Sequence, residues 1–208
     1  MRVDGGAVNR GQLIVFEGLD GCGKSTQVAR LAITLRAAGH AVVATREPTN
    51  GEYGQRIRSL AKSGGSISHA EELRWFIEDR REHVAEVVEP GLSAGRVVIC
   101  DRYFLSTVAY QGARGADVDE ILESSEAEFP IPDLVILLEI TPEAGLARVH
   151  ERGHAIETHF EEVEYLTAVD AIFRHVDCPY LVRIDGSTEP DSVESAVAEC
   201  VAARLRLP

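Results

Sequence analysis

The sequence predicts an α/β fold, a five-stranded parallel sheet with helices on both faces, and three observations lead to it. Five short runs rich in β-branched and aliphatic residues recur along the 208-residue chain. Longer segments with apolar residues at helical spacing lie between them. A glycine-rich turn joins the first run to the first of those segments, within "FEGLDGCGKSTQ" (Phe16–Gln27).

The first strand is read at Gln12–Phe16, and the others at Ala41–Ala44, Arg96–Cys100, Leu134–Glu139 and Tyr180–Ile184. All five are predominantly apolar on both faces, as expected of strands buried on both sides. The first helix is expected from Lys24 to Ala38, because Val28, Leu31, Ala32 and Leu35 form one stripe and Gly39 stops it. The same spacing predicts helices over Tyr53–Ser63, Glu71–Val88, Phe104–Gln111, Val118–Glu126, Pro142–Arg152, Glu161–Val176 and Pro190–Leu205. No repeat or linker interrupts this order, so one domain spanning 1–208 is expected, with 1–11 as a flexible tail. Two irregular stretches stand out, "EPTNGEYG" (Glu47–Gly54) and a lid-like segment at approximately 151–162, "ERGHAIETHFEE". Long irregular pieces near the carboxyl ends of strands are where binding loops and lids occur.

Charge narrows the function. The net charge is −13, which argues against nucleic acid or anionic lipid as a partner, because phosphate backbones are bound by clustered basic charge. No apolar run is long enough to span a membrane, and the first 11 residues lack the apolar core of a signal peptide, so the expected location is cytoplasmic. Cys22, Cys100, Cys178 and Cys200 form no C-x-x-C pair and read as free thiols. His150, His154 and His159 read as solvated polar residues rather than a metal site.

Gly18 to Ser25 matches G-x-x-x-x-G-K-[ST], preceded by a strand and followed by a helix as that phosphate-binding loop requires. The glycines let main-chain N–H groups turn inward on a phosphate at the positive end of the first helix. Lys24 then reaches the β- and γ-phosphates, and Ser25 offers a hydroxyl to Mg²⁺. Gly18, Leu19, Asp20, Gly21, Cys22, Gly23, Lys24, Ser25 and Thr26 are thus the candidate ATP-binding residues. Asp20 is unusual there, since an anion beside a phosphate nest is costly unless something needs an acceptor. Neither lysine of the chain stands in the N/T-K-x-D pattern of guanine-reading switch proteins.

A second cluster follows the strand "RVVIC": "DRYFLSTVAYQG", Asp101–Gly112. Asp101 sits at the carboxyl end of a buried strand and is a candidate Mg²⁺ ligand with Ser25. Arg102 adjoins it, and Arg46, Arg58, Arg74, Arg80 and Arg81 lie beside strand ends or on facing helices. Arg58, Arg80 and Arg102 suit a second anion site, while Arg81 reads as an ordinary surface ion-pair partner. A phosphate acceptor is already anionic and needs cations more than a base, so arginines beside a phosphate-binding loop point to a nucleoside monophosphate.

The segments "FEGLDGCGKSTQ", "TREP", "FIEDRREH" and "DRYFLSTVAYQG", in this order and spacing, resemble bacterial thymidylate kinase over roughly Gln12 to Glu161. That resemblance implies a P-loop NTPase fold and phosphorylation of dTMP to dTDP with ATP and Mg²⁺. The alternatives are a kinase for another deoxynucleotide or a deoxynucleoside, or a non-catalytic nucleotide-binding relative. It implies that Asp20 accepts a bond from the sugar 3′-hydroxyl, Phe76 stacks on thymine and Arg80 bonds the base edge. Glu47 and Pro48 would shape the monophosphate pocket on a cis or strained turn, and Arg58 and Arg102 would hold the acceptor phosphate. Thr107, Tyr110 and Gln111 would line sugar and base, with the Tyr110 ring crowding the 2′ position. A homodimer is also implied.

Members of the family place a catalytic arginine in the loop or in the lid. Gly21 occupies the loop position, which leaves Arg148 or Arg152 as candidates beside Lys24, Asp101 and Arg102. Two departures follow: Thr49-Asn50-Gly51 replaces the usual glycine pair after "TREP", and His159 stands where an arginine is common. A histidine would serve that role only when protonated. Turnover is therefore expected to improve below neutral pH, and a pH–rate profile of His159→Ala identical to the unaltered protein's would remove the idea.

Overall fold

Five parallel strands carry the computed structural model, which describes residues 10–63, 65–151 and 159–205, with the backbone alone at 159–162. They are β1 (Gln12–Glu17), β2 (Val42–Arg46), β3 (Val97–Asp101), β4 (Leu134–Glu139) and β5 (Leu181–Asp185), ordered β2-β3-β1-β4-β5. Helices α1 (Lys24–Ala37), α2 (Glu52–Ser63), α3 (His69–His83), α4 (Glu89–Ser93), α5 (Phe104–Gly112), α6 (Val118–Glu128), α7 (Pro142–Glu151), α8 (His159–His175) and α9 (Pro190–Arg204) connect and cover them.

Alternation along β1 shows why both faces are covered. Ile14 and Phe16 join Ile99, Ile136, Leu31, Leu35 and Val197 in one core. Leu13 and Val15 face the other way, into a core with Val98, Leu92, Val108 and Val169. Successive side chains of a strand point to opposite faces, so a strand apolar at every position needs a helical layer on each side. The expectation of full burial holds for β1, β3 and β4 but not for β2 and β5, which are only partly buried. These are the two edge strands.

Strand ends also differ in one direction. β1, β2, β3 and β5 run one or two residues past their expected ends, onto Glu17, Thr45-Arg46, Asp101 and Asp185. The ladder continues because pairing is a main-chain property, and in it Phe16 and Arg46 both stand opposite Asp101. The expected helix Glu71–Val88 begins earlier, at His69, where the Ser68 hydroxyl accepts from the Glu71 N–H. It then widens into a π-helical turn at Val84–Val88, where the Glu89 N–H donates to Val84 O five residues back, and continues as α4. Pro90 lies just beyond and supplies no N–H to the normal ladder. The tail expected at 1–11 is shorter at its inner end, since the Gly11 N–H donates to Leu92 O at 2.8 Å. Helix α8 starts at His159, two residues before its expected start. Residues 1–9, Arg152 and His154 lie outside the described residues, as does the side chain of His159.

One buried acid links β1 to the start of α5. Glu17 has no exposed surface; its Oε1 accepts from the Tyr103 N–H at 2.8 Å and the Ser106 N–H at 3.1 Å. Its Oε2 accepts from the Ser106 hydroxyl at 2.5 Å. Tyr103, at the N-cap of α5, provides no side-chain cap, so the distant carboxylate satisfies amides that a helix start leaves open. Burial pushes the Glu17 carboxyl up to about 7, against the opposing pull of the Ser106 hydroxyl, Arg102 and the two N–H bonds.

A carboxyl raised in the folded state takes up a proton on folding between its unfolded value, 4.5, and about 7. Its contribution is then full below pH 4.5 and lost as pH rises through 7. Compared with Glu17→Gln, the unaltered protein is expected to lose on the order of 2–3 kcal/mol of relative stability between pH 5 and 8. Paired thermal melts across that range check this, and parallel curves would refute it.

Candidate active site

The loop between β1 and α1 leaves the sheet at its carboxyl edge and returns along α1. Gly23 has φ 102°, and a Cβ on it would meet nothing within 4 Å, so the loop opens on its inner side. Gly23 caps α1 without a side-chain bond. The first-turn amides, including those of Ser25 and Thr26, are therefore available to an anion at the positive helix end. Lys24 is buried, with Nζ donating to Gly18 O at 3.0 Å and Leu19 O at 2.8 Å. Leu19 and Cys22 are buried and support the loop from beneath.

Gly21 takes φ 83°, and a Cβ there would lie 2.2 Å from the carbonyl oxygen of Gly145 in α7. No side chain fits between loop and helix, which is the physical reason that this loop carries no arginine at that position. Arg148, one turn further along α7, donates to Gly186 O at 2.9 Å, Ser187 O at 3.1 Å and Gly21 O at 3.4 Å. Its guanidinium is bonded to main-chain carbonyls and is not among the residues that line the cavity.

Across from the loop, the Ser25 hydroxyl donates to Asp101 Oδ2 at 2.5 Å. Two hard oxygens from α1 and the end of β3 thus meet at the mouth of the phosphate loop. Such oxygens suit Mg²⁺, which keeps several waters and takes few protein ligands.

These groups line a cavity of about 230 Å³ together with Arg46, Arg58 and Arg102 and with Glu47 and Pro48. Arg102 has φ 72°, the one positive φ of a non-glycine residue among the described residues. Its guanidinium donates to Ser106 Oγ at 2.8 Å, Asp20 Oδ1 at 2.5 Å and Tyr110 Oη at 3.3 Å, and lies 5.0 Å from the Tyr110 ring centroid. Burial works against the charge of Arg102, but Tyr110, Asp20 and Glu17 more than offset it and hold it firmly protonated. The loop walls tend to raise the Asp20 carboxyl, while Arg102 and Lys24 pull it below its ordinary value.

Arg58 donates to Pro48 O at 3.0 Å and Asn50 Oδ1 at 3.2 Å. The Glu47–Pro48 bond is cis. The Thr49-Asn50-Gly51 departure is tied down: Asp79 accepts from the Thr49 N–H at 2.8 Å and hydroxyl at 2.6 Å, and Thr49 Oγ1 accepts from the Gly51 N–H at 2.9 Å.

Beneath this loop lies a buried polar network. Arg80 donates to Glu47 Oε2 from Nε at 2.9 Å and Nη2 at 2.7 Å, and to Thr107 Oγ1 at 2.9 Å. Tyr103 and Phe129 hold its guanidinium, with centroids at 5.2 and 5.5 Å. His83 joins Glu47 Oε1 at 2.9 Å to Thr45 Oγ1 at 2.7 Å. Arg80 Nη1 and Gln111 Oε1 are buried without a hydrogen-bond partner in the protein. Buried polar atoms are rarely left so, and here one donor and one acceptor on α3 and α5 are. Phe76, half-buried, precedes Arg80 by one helical turn and so shares its face of α3.

Structure and sequence divide the site unevenly. Glu17, Asp79 and His83 are buried polar residues that lie within "FEGLDGCGKSTQ" and "FIEDRREH" without any role that the sequence assigns. Glu17 was visible only as an acid closing an apolar run, and His83 only as the last residue of "FIEDRREH". Arg46 lines the cavity because β2 extends to it.

Comparison with known proteins agrees with this geometry. The family model described as thymidylate kinase matches residues 16–197. The chain is 45% identical over 199 residues to the thymidylate kinase of Desulfotalea psychrophila, covering 96% of this chain and 98% of that one. It is 47% identical over 183 residues to the thymidylate kinase of Xanthomonas euvesicatoria, covering 88% of this chain and 80% of the relative. That of Xanthomonas campestris is 43% identical over 201 residues, covering 95% and 87%. The matched span runs from the last core residue of β1, through the phosphate loop, the arginine-lined wall and the buried Arg80 network, and into α9, and on this ground the chain belongs to the thymidylate kinase family.

Proposed function

We propose that the protein transfers the γ-phosphoryl group of ATP to dTMP, forming dTDP, in one catalytic domain. The observation that carries this is that a phosphate loop, the Ser25–Asp101 oxygen pair, Arg58 and Arg102 line one cavity. Two polyanions can meet only where fixed donors offset their repulsion, and this cavity has such donors from the loop and from the arginines.

In this reading the loop amides and Lys24 hold the donor phosphates. Lys24 Nζ leaves Gly18 O and Leu19 O to follow the charge. Ser25 and Asp101 would hold Mg²⁺, which neutralises phosphate charge when bound. Arg102 and Arg58 orient the acceptor phosphate, whose own oxygen is the nucleophile, so no side chain has to remove a proton. Asp20 stands beside Arg102 as an anionic acceptor for the sugar 3′-hydroxyl. The unpaired Arg80 Nη1 and Gln111 Oε1 supply one donor and one acceptor for a pyrimidine edge, with Thr107 alongside and Phe76 as the flat apolar face. The Tyr110 ring, fixed against Tyr165 and Phe173 at 6.2 and 6.5 Å, limits space at the sugar. A cytoplasmic homodimer completes the proposal.

Lys24→Ala is expected to lower kcat by roughly 10²–10³-fold, as removal of a donor to developing charge does elsewhere. In a panel of dTMP, dUMP, dCMP, dGMP and thymidine, dTMP should have the highest kcat/KM; preference for the nucleoside would remove the second anion site. Arg58→Ala should raise KM for dTMP by roughly 10–100-fold, the weight of a hydrogen bond to a charged group, with KM for ATP little changed. Equal effects on both KM values would place Arg58 outside the acceptor site.

A further inference from the structure

Arg102 is held in a conformation that its own residue type disfavours, and the groups that enforce it converge on one side chain. Residues kept at positive φ persist only where their surroundings over-determine them. Two consecutive amides achieve this here. The Arg102 N–H donates to Phe16 O at 2.9 Å, and the Tyr103 N–H donates to Glu17 Oε1 at 2.8 Å. The turn is thereby clasped to two adjacent residues of β1. The Cys100 thiol adds a bond to Arg102 O at 3.0 Å.

Glu17 also reaches the other end of the same arginine. Its Oε2 accepts from the Ser106 hydroxyl, and Ser106 Oγ accepts from Arg102 Nη1. Burial keeps the Glu17 carboxyl protonated up to about pH 7; above that it is acceptor-only, draws the single Ser106 proton to itself and leaves the lone pairs to the guanidinium. Main-chain clasp and side-chain relay therefore share one carboxyl group, which is not itself part of the cavity lining. The charged group that acts on it is Arg102 on the turn, and the neutral Cys100 thiol of β3 also feels its charge.

We propose that Glu17 is a positioning residue for the acceptor site: by fixing the turn and the Ser106 proton it aims the Arg102 guanidinium at the acceptor phosphate. This rests on Arg102 holding that phosphate, as read above. A glutamine at 17 could still cap the two amides, but it would present an N–H to Ser106 Oγ and compete with Arg102 for its lone pairs.

Steady-state kinetics of Glu17→Gln, Ser106→Ala, Arg102→Ala and the Glu17→Gln/Arg102→Ala pair, with dTMP and ATP each varied, test this. Glu17→Gln and Ser106→Ala should each raise KM for dTMP roughly tenfold, with KM for ATP changing less than about twofold. On the Arg102→Ala background, Glu17→Gln should add nothing further, because the group it aims is gone. A merely structural cap would affect both substrates and would act equally on either background, and that result overturns the inference. A normal KM for dTMP in both Glu17→Gln and Ser106→Ala, with a raised one in Arg102→Ala, also overturns it while leaving the reading of Arg102 intact. A normal KM in Arg102→Ala would instead refute the reading of Arg102, and the inference with it. Should Glu17→Gln fail to fold, Ser106→Ala, which interrupts only the relay, decides alone.

Discussion

The parallel pairing of β1 with β3 is the contact on which the rest depends. Phe16 stands opposite Asp101, so the two residues that follow these strands begin the phosphate loop and the arginine turn side by side. Segments 76 residues apart then meet within hydrogen-bond distance, Ser25 on Asp101, without any long-range side-chain search. Crevices outside the carboxyl ends of strands arise in this way in open α/β sheets. The chain adds a second tie, the Gly21–Gly145 approach, which seats α7 against the loop and leaves no room for a side chain there.

An acidic chain that binds anions must separate its arginines by role, and burial separates them here. Arg74, Arg81 and Arg114 lie on the surface in ion pairs with Glu71, Glu78, Glu128 and Glu72. Exposed pairs of this kind contribute little, roughly 0–1 kcal/mol each. Arg80 is the opposite case, buried against Glu47 and held by two rings. Removing either partner of such a pair would leave an uncompensated buried charge. Its unpaired Nη1 marks the difference between a structural pair, which satisfies itself, and one with a donor still to give.

A buried carboxylate explains why the altered loop after "TREP" keeps its shape. Asp79 takes both polar hydrogens of Thr49, and the Thr49 hydroxyl oxygen takes the Gly51 amide, so side-chain bonds stand in for the flexibility of a glycine pair. The same α3 turn holds Asp79 and Arg80, so one turn ties both the loop and the buried Glu47. Widening to a π-turn after His83 lets the chain pass Pro90 without losing this face.

Periodicity, the glycine spacing and the "DRY" and "TREP" segments determined the sheet, its helical cover, the phosphate loop and the arginine-bearing segments, because those properties are local: a pattern of apolar residues and a turn that only glycine allows. Strand ends, edge positions and the sorting of arginines were decided by tertiary structure alone. Main-chain pairing continues past the apolar run onto Glu17, Arg46 and Asp101, and no local rule separates an arginine that meets a glutamate on the surface from one that meets it in the interior. Glu17 is the clearest instance, since its place beneath Arg102 exists only once β1, β3 and α5 have been brought together.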